Sequence, residues 1–377
     1  MKADERMELR GLTYEQMEAW LTESLGAKRF RARQIYAWLH KRYARSFAEM
    51  TDLSKAFREQ LTSVARIDTP LVEQVFVAED GTRKYRMKAV EGEVIEAVFI
   101  PGASSEKHNA LCISSQVGCA MGCAFCLTGR SGLIRNLSAA EIVGQVAEVA
   151  RDVAESDQRI TNIVFMGMGE PLHNLGALLP SLEILCGDLG FDFSTRRVTV
   201  STSGLIPGLR ALAKARQIPQ LAISLNAPDD AIREHVMPVN KRWNISALMD
   251  ACMAFPLANR RHITFEYVLM AGLNDSVKQA LQVAKIVEPV RAMVNLIPFN
   301  PHPGSQFSRP TRETSEAFQA ELRRHGVRSF IRHTRGDEVL AACGTLSDVP
   351  YFDPKSEEEQ QIRSDALAAI DAIRENS

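Results

Sequence analysis

The spacing of apolar residues along this chain changes from helical to strand-like and then alternates. From Thr13 to Leu25 the apolar positions Met17, Trp20, Leu21 and Leu25 recur at helical spacing with polar residues between them. Residues 12–66 as a whole read as short helices of a small accessory domain. Between 70 and 116 the pattern becomes that of strands. Lys84–Val90, Val94–Ile100 and Ala110–Ser114 are the segments, and Glu91-Gly92-Glu93 offers a hairpin turn between the first two. Further on, strand patterns near 161–167, 196–201, 220–225, 262–269 and 292–297 alternate with helical patterns at 139–153, 174–186 and 274–287. Such alternation predicts βαβ units on a mainly parallel sheet. About six repeats predict an α/β fold of the partial (βα)6 barrel type, with an N-terminal helical accessory domain and a β-extension. The expected division is 1–68 for the accessory domain and 69–350 for the core, with its β-extension at 69–109. An acidic tail over 351–377 is predicted to be helical from Ser356.

Composition narrows the setting. The chain has 377 residues, with 45 Lys and Arg against 46 Asp and Glu. The balance does not announce a nucleic-acid binder, although local clustering can supply one. Met1 to Arg10 is charged rather than apolar, and no apolar run approaches the roughly 20 residues of a membrane span. The expected setting is the cytoplasm. Seven cysteines, an odd number with several crowded together, argue against a secreted disulfide framework. Cys186 and Cys252 stand alone in helical patterns and read as small buried hydrophobes.

The strongest chemical signal is Gly118-Cys119-Ala-Met-Gly-Cys123-Ala-Phe-Cys126, directly after a predicted strand. Three thiolates in one short loop are placed to hold a metal centre. Structural zinc normally takes four ligands, and no fourth cysteine or histidine lies nearby. Three thiolates on an iron–sulfur cluster leave one iron open to an outside ligand. An unligated loop is the bland alternative. The motif resembles that of the radical S-adenosylmethionine superfamily. By that resemblance Cys119, Cys123 and Cys126 bind a 4Fe-4S cluster, whose open iron takes the methionine end of S-adenosylmethionine. The electron it delivers yields a 5′-deoxyadenosyl radical.

The polar ends of the predicted strands fit a cofactor at the carboxyl edge of a parallel sheet. They are Met166-Gly-Met-Gly169-Glu170-Pro171, Ser201-Thr-Ser203, Ser224-Leu-Asn226 and Asn295-Leu-Ile-Pro-Phe-Asn300. Tight turns and helix caps use the same residue types. By resemblance Gly169, Glu170, Ser201, Ser224, Leu225, Asn226 and Asn300 contact S-adenosylmethionine. Many relatives carry His where this chain has Asn226, and an amide cannot titrate as an imidazole does.

Ser114-Ser-Gln-Val-Gly-Cys119, Gly167-Met-Gly-Glu-Pro171, Arg197-Val-Thr-Val-Ser-Thr-Ser203, Asn295-Leu-Ile-Pro298 and Arg335-Gly-Asp337 with Ala-Ala-Cys343-Gly344 occur in this order. Together they resemble the RlmN/Cfr family of 23S rRNA adenine methyltransferases over nearly the whole chain. The resemblance gives roles to two outlying cysteines that composition alone leaves as buried thiols. One S-adenosylmethionine methylates Cys343, and a second furnishes the radical that takes a hydrogen atom from that methyl group. The methylene radical adds to adenine. Cys112 then attacks the Cys343 sulfur, forming a disulfide and freeing the product. Two S-adenosylmethionine molecules are thus used per turnover. The base that removes the adenine proton maps to Glu96; alternation within its strand places the same residue on the solvent face of an edge strand.

The resemblance implies methylation at adenine C2 of 23S rRNA, with tRNA as a further substrate. Other implications are an electron donor such as flavodoxin or ferredoxin, a monomer, and no membrane. The alternatives are C8 methylation by the same route, a different radical enzyme such as a glycyl-radical activase, or a non-catalytic RNA-binding protein with a structural metal. Residues 28–45 carry Lys28, Arg29, Arg31, Arg33, Lys41, Arg42 and Arg45, with Tyr36, Trp38 and His40 among them and no acidic residue. That segment reads equally as an RNA-binding face or as an amphipathic helix with an aromatic core side.

Overall fold

A computed structural model of the chain describes residues 5–102, 108–130, 132–302, 305–332 and 335–347; the expected tail helix lies outside them. Thr13 starts the first helix, Tyr14–Leu25, with a reciprocal cap. Gln16 N donates to Thr13 Oγ1 and Thr13 N donates to Gln16 Oε1, so two amides that the helix leaves unpaired find partners. Helices Phe30–His40 and Lys55–Val64 follow, and parallel pairing of Met7–Glu8 with Ala65–Arg66 brings the two ends of the N-terminal unit together. Arg10 is buried inside that unit, its guanidinium donating to the carbonyls of Leu39 and Ala44.

Ten strands then form one sheet: β1 (Leu71–Val77), β2 (Arg83–Lys88), β3 (Val94–Ile100), β4 (Ala110–Cys112), β5 (Asn162–Phe165), β6 (Val198–Thr202), β7 (Gln220–Ser224), β8 (Ile263–Leu269), β9 (Ala292–Pro298) and β10 (Arg328–Ile331). Their spatial order is their chain order. β1 to β4 pair antiparallel and form the β-extension; β4 to β10 pair parallel. A helical crossover joins each parallel strand to the next. Ala139–Ala154 leads into β5, Leu175–Cys186 into β6 and Ile206–Leu212 into β7. Asp230–Val236 with Ile245–Met253 leads into β8, Val277–Val287 into β9 and Arg312–Arg324 into β10. The six expected βα repeats are present, followed by one more parallel strand. β1 and β10 are free edges, so the barrel is partial.

Two strands escaped the sequence pattern for different reasons. β1 is an edge strand whose apolar residues occupy both odd positions (Leu71, Val75 and Val77) and even ones (Val72 and Phe76), so it shows no alternation, and β10 is only four residues long. Phe165, Leu221, Ile223, Phe265 and Leu296 of the parallel strands share one core with Val143, Val146, Leu182, Val283 and Phe318 of the crossover helices. That core continues into Leu9, Met17 and Ile35 of the N-terminal unit. The placement of Glu96 on an exposed edge is corrected. β3 lies between β2 and β4, and Ile95 to Phe99 are buried on both faces. Among the described residues no helix is long and apolar enough to cross a membrane.

Candidate active site

β5 to β10 surround one cavity at their carboxyl ends. Its wall includes Cys119, Cys123 and Cys126, with Gly169, Glu170, Ser201, Ser224, Asn226, Asn300 and Cys343. Ten of the thirteen residues singled out from the sequence therefore meet in one place. Leu225, Cys112 and Glu96 are not on that wall.

The cysteine loop is shaped by backbone bonds. Gly118 has a φ of 71°, and a Cβ there would fall 1.9 Å from the Gly132 carbonyl oxygen, so only glycine allows this approach. Cys119 N donates to Gly132 O at 2.7 Å, and Cys126 N to Cys123 O at 3.1 Å. Ala124 N donates to Val236 O at 2.9 Å, which ties the loop to the β7–β8 crossover. Among the described residues no three His, Cys, Asp or Glu side chains converge on a single ion. The three thiols stand around one end of the cavity, with room for a group larger than an ion. Burial pushes them all up, Cys119 to about 12. Without a bound cation they stay protonated.

Facing them, Glu170 is buried and held at both oxygens. Leu172 N donates to Oε1 at 3.1 Å and Ser203 N to Oε2 at 2.7 Å. Burial raises its pKa against those bonds. Gly169 has a φ of 98°, and a Cβ would stand 2.5 Å from Gln116 Cβ. Its freedom thus serves contact with the chain itself. Asn226 takes a left-handed φ of 56°, which asparagine tolerates. Val268 N donates to its Oδ1 at 2.8 Å and its Nδ2 reaches Met237 Sδ at 3.2 Å. Leu225 is buried away from the cavity and contributes backbone only, its N–H donating to Glu266 O. The fit to a nucleoside carrying an amino acid is good: thiols at one end, hydroxyls and amides along the strand ends.

The segment after β10 packs beside the cysteine loop. Leu127 N donates to Gly344 O at 2.8 Å, Thr128 Oγ1 to Leu346 O at 2.7 Å, and Asn300 Nδ2 to Cys343 O at 3.1 Å. Cys343 is exposed and a free thiol; Cys112, also free, is buried at the end of β4. Arg332 Nη1 lies 4.0 Å from Cys343 Sγ, and its charge also reaches Cys112. Burial pushes the Cys112 thiol up to about 12, and the nearby Cys343 adds to this. Glu96, 1% exposed, pairs with Lys84 Nζ at 3.1 Å and accepts from Ser347 N at 3.0 Å, so it anchors the loop that carries Cys343. Burial raises its pKa, opposed by Lys84.

Three residues absent from the sequence reading organise the site. Arg233 is buried and donates to the carbonyls of Ser203, Ser224 and Leu225, fastening the ends of β6 and β7. Its only sequence trace is a cation in a short helical stretch. Arg332 follows a strand that was not recognised. Glu266 is a lone carboxylate inside the apolar strand Ile263–Leu269, an anomaly that could have been noticed. Of the outlying cysteines, Cys252 is buried and Cys186 half-buried.

The basic segment 28–45 divides. Tyr36 and His40 are buried, with ring centroids 4.3 Å apart, so neither can stack on a base. Arg45 pairs with the buried Glu148 of the core. Lys28, Arg29, Arg33 and Arg42 are exposed, and Arg42 lies 4.2 Å over the half-buried Trp38 ring.

Residues 7–67 match the family model described as Ribosomal RNA large subunit methyltransferase N-terminal domain, and residues 113–284 match the Radical SAM superfamily. The chain is 46% identical over 343 residues to the dual-specificity RNA methyltransferase RlmN of Geobacter sulfurreducens, covering 91% of this chain and 92% of that protein. It is 44% identical over 372 residues to the protein of the same description from Caulobacter vibrioides, with 96% and 89% covered. The crystal structure of a radical SAM methyltransferase from Sphaerobacter thermophilus matches with a TM-score of 0.86 at 40% identity, covering 91% of this chain and all of that one. Likeness on this scale, through the N-terminal unit as well as the barrel, is not that of a glycyl-radical activase or a non-catalytic metal protein, and the chain belongs to the RlmN family of radical SAM RNA methyltransferases.

Proposed function

We propose that this protein methylates adenine in 23S rRNA, at C2, and accepts tRNA as a second substrate. The observation that carries the reading is the meeting of Cys119, Cys123, Cys126 and Cys343 around one cavity, although they come from distant parts of the chain. When bound, a 4Fe-4S cluster would provide one-electron reducing chemistry next to S-adenosylmethionine. Cys119, Cys123 and Cys126 hold the cluster. Gly169, Glu170, Ser201, Ser224, Leu225, Asn226 and Asn300 hold S-adenosylmethionine, Leu225 through its backbone. The chemistry needs a carbon-centred route because adenine C2 is not a nucleophile.

Cys343 accepts the methyl group and carries it to the ring. Arg332 sets a positive charge beside the sulfur that accepts methyl, its Nη1 4.0 Å from Cys343 Sγ. Cys112, within reach of the same guanidinium charge, loses its proton and attacks the Cys343 sulfur of the protein–RNA adduct. The new S–S bond releases the carbon, and an outside thiol must then reduce the disulfide. Glu96 takes the proton that leaves the adenine carbon; burial raises its pKa above that of an ordinary carboxylate, which makes it a stronger base. Two S-adenosylmethionine molecules serve each turnover, one for each role. Residues 1–68 act as an accessory domain that grips RNA phosphates through Arg29, Arg33 and Arg42, ahead of the core at 69–350 and the tail at 351–377. The enzyme works as a cytoplasmic monomer, reduced by flavodoxin or ferredoxin.

The test is incubation of the anaerobically reconstituted, reduced enzyme with S-adenosylmethionine and unmodified 23S rRNA or tRNA. Mass spectrometry of the digested RNA is expected to find 2-methyladenosine. Finding 8-methyladenosine overturns the C2 assignment, and 5′-deoxyadenosine without any methylated adenosine overturns the substrate.

A further inference from the structure

One charged side chain on the cavity wall has no part in these steps. Glu266 sits in the middle of β8 and is 5% exposed; its side chain lies on the cavity face with Val268, while Ile263, Phe265, Tyr267 and Leu269 alternate onto the opposite face. Its Oε1 accepts from Asn295 Nδ2 at 3.1 Å. Its Oε2 is buried with no hydrogen-bond partner among the described residues. Strand register sets Glu266 beside Ser224 of β7 on one side and Asn295 of β9 on the other. Burial raises its pKa, and the positive charge of Arg332 opposes the rise. A buried carboxylate oxygen without a donor is among the costlier features a core can hold. A ligand that brings a donor removes that cost when it binds.

We infer that Glu266 Oε2 is an acceptor for a hydrogen-bond donor on the nucleoside of S-adenosylmethionine, either a ribose hydroxyl or the exocyclic amine. The inference rests on the cavity being the cofactor site. Depth favours the cofactor over the substrate base. Glu266 lies within the sheet beside Ser224, whereas Cys343, which must meet the RNA, is exposed. A carboxylate only accepts, so a nucleoside without a donor at that point leaves the oxygen unpaired and is rejected.

Glu266→Gln keeps the volume and the acceptor for Asn295, and replaces the free oxygen by an amide NH2. Binding of S-adenosylmethionine is measured by equilibrium dialysis on anaerobic holoenzyme of matched iron content. The variant is expected to bind about tenfold or more weakly. Analogues of S-adenosylmethionine lacking the 2′-hydroxyl, the 3′-hydroxyl or the 6-amino group identify the donor. One of them weakens binding to the wild type but not to the variant. Unchanged affinity in the variant overturns the assignment, and it does so equally if RNA binding weakens instead, which assigns Oε2 to the substrate base. If the variant does not fold, the analogues are compared on the wild type alone. Equal affinity for all of them overturns the assignment. Failure of the wild type to bind S-adenosylmethionine overturns the cofactor-site reading and this inference with it.

Discussion

Two sets of cysteines serve one cavity, and they are built differently. Cys119, Cys123 and Cys126 lie in a single loop turned by nearby glycines and backbone bonds, with ties to Val236 and Gly344. Cys112 and Cys343 are brought near each other only by the completed sheet, one buried at the end of β4 and the other exposed beyond β10. The first set can be disturbed locally. The second depends on the whole barrel and on the anchors Asn300, Arg332 and Glu96. Chemistry that needs a fixed scaffold uses the local set; chemistry that needs a thiol to meet a large substrate uses the assembled one.

The largest effect is expected from breaking the local set. Cys123→Ala should lose the cluster, and with it every later step: iron content, 5′-deoxyadenosine formation and RNA methylation should all fall to background. Cys343→Ala should separate the two sets, keeping wild-type iron while methylated adenosine disappears; loss of iron in this variant would show that the sets are not independent. Cys112→Ala should be milder in its first steps. Iron and methylation of Cys343 should persist, with the reaction halting at a protein–RNA adduct visible as a retarded band on a denaturing gel. The smallest test leaves the sequence unchanged. With its thiol pushed up to about 12, Cys112 has little thiolate at pH 7. Iodoacetamide should alkylate exposed Cys343 faster than Cys112 by about two orders of magnitude. The Cys112 rate should climb about tenfold per pH unit below 12 as the thiolate fraction grows. Comparable rates near pH 7 would erase the contrast between the two thiols.

What could be read from the amino acids follows the same division. The cysteine triad announces itself because its spacing is local, and six βα repeats show because each strand–helix period is local. The ends of those strands point to Ser201, Ser224, Asn226 and Asn300, which line one cavity. Cys112 and Cys343 could be joined only through family likeness, since nothing in their separate stretches predicts a shared neighbour. Alternation failed at Glu96 because β3 is covered on both faces, where a two-residue period carries no information. Tyr36 and His40 misled in the opposite direction: a basic segment with aromatics looks like an RNA face until helix packing turns those rings inward.

The bond from Thr128 Oγ1 to the Leu346 carbonyl joins residues 218 positions apart. On a ribosome adding roughly 5–20 residues per second, the later partner emerges on the order of ten to forty seconds after the earlier one. For that interval the cysteine loop has been synthesised and its partner segment has not. Iron delivery during translation meets a loop without this tie; delivery to the finished chain meets one already bonded to the C-terminal segment.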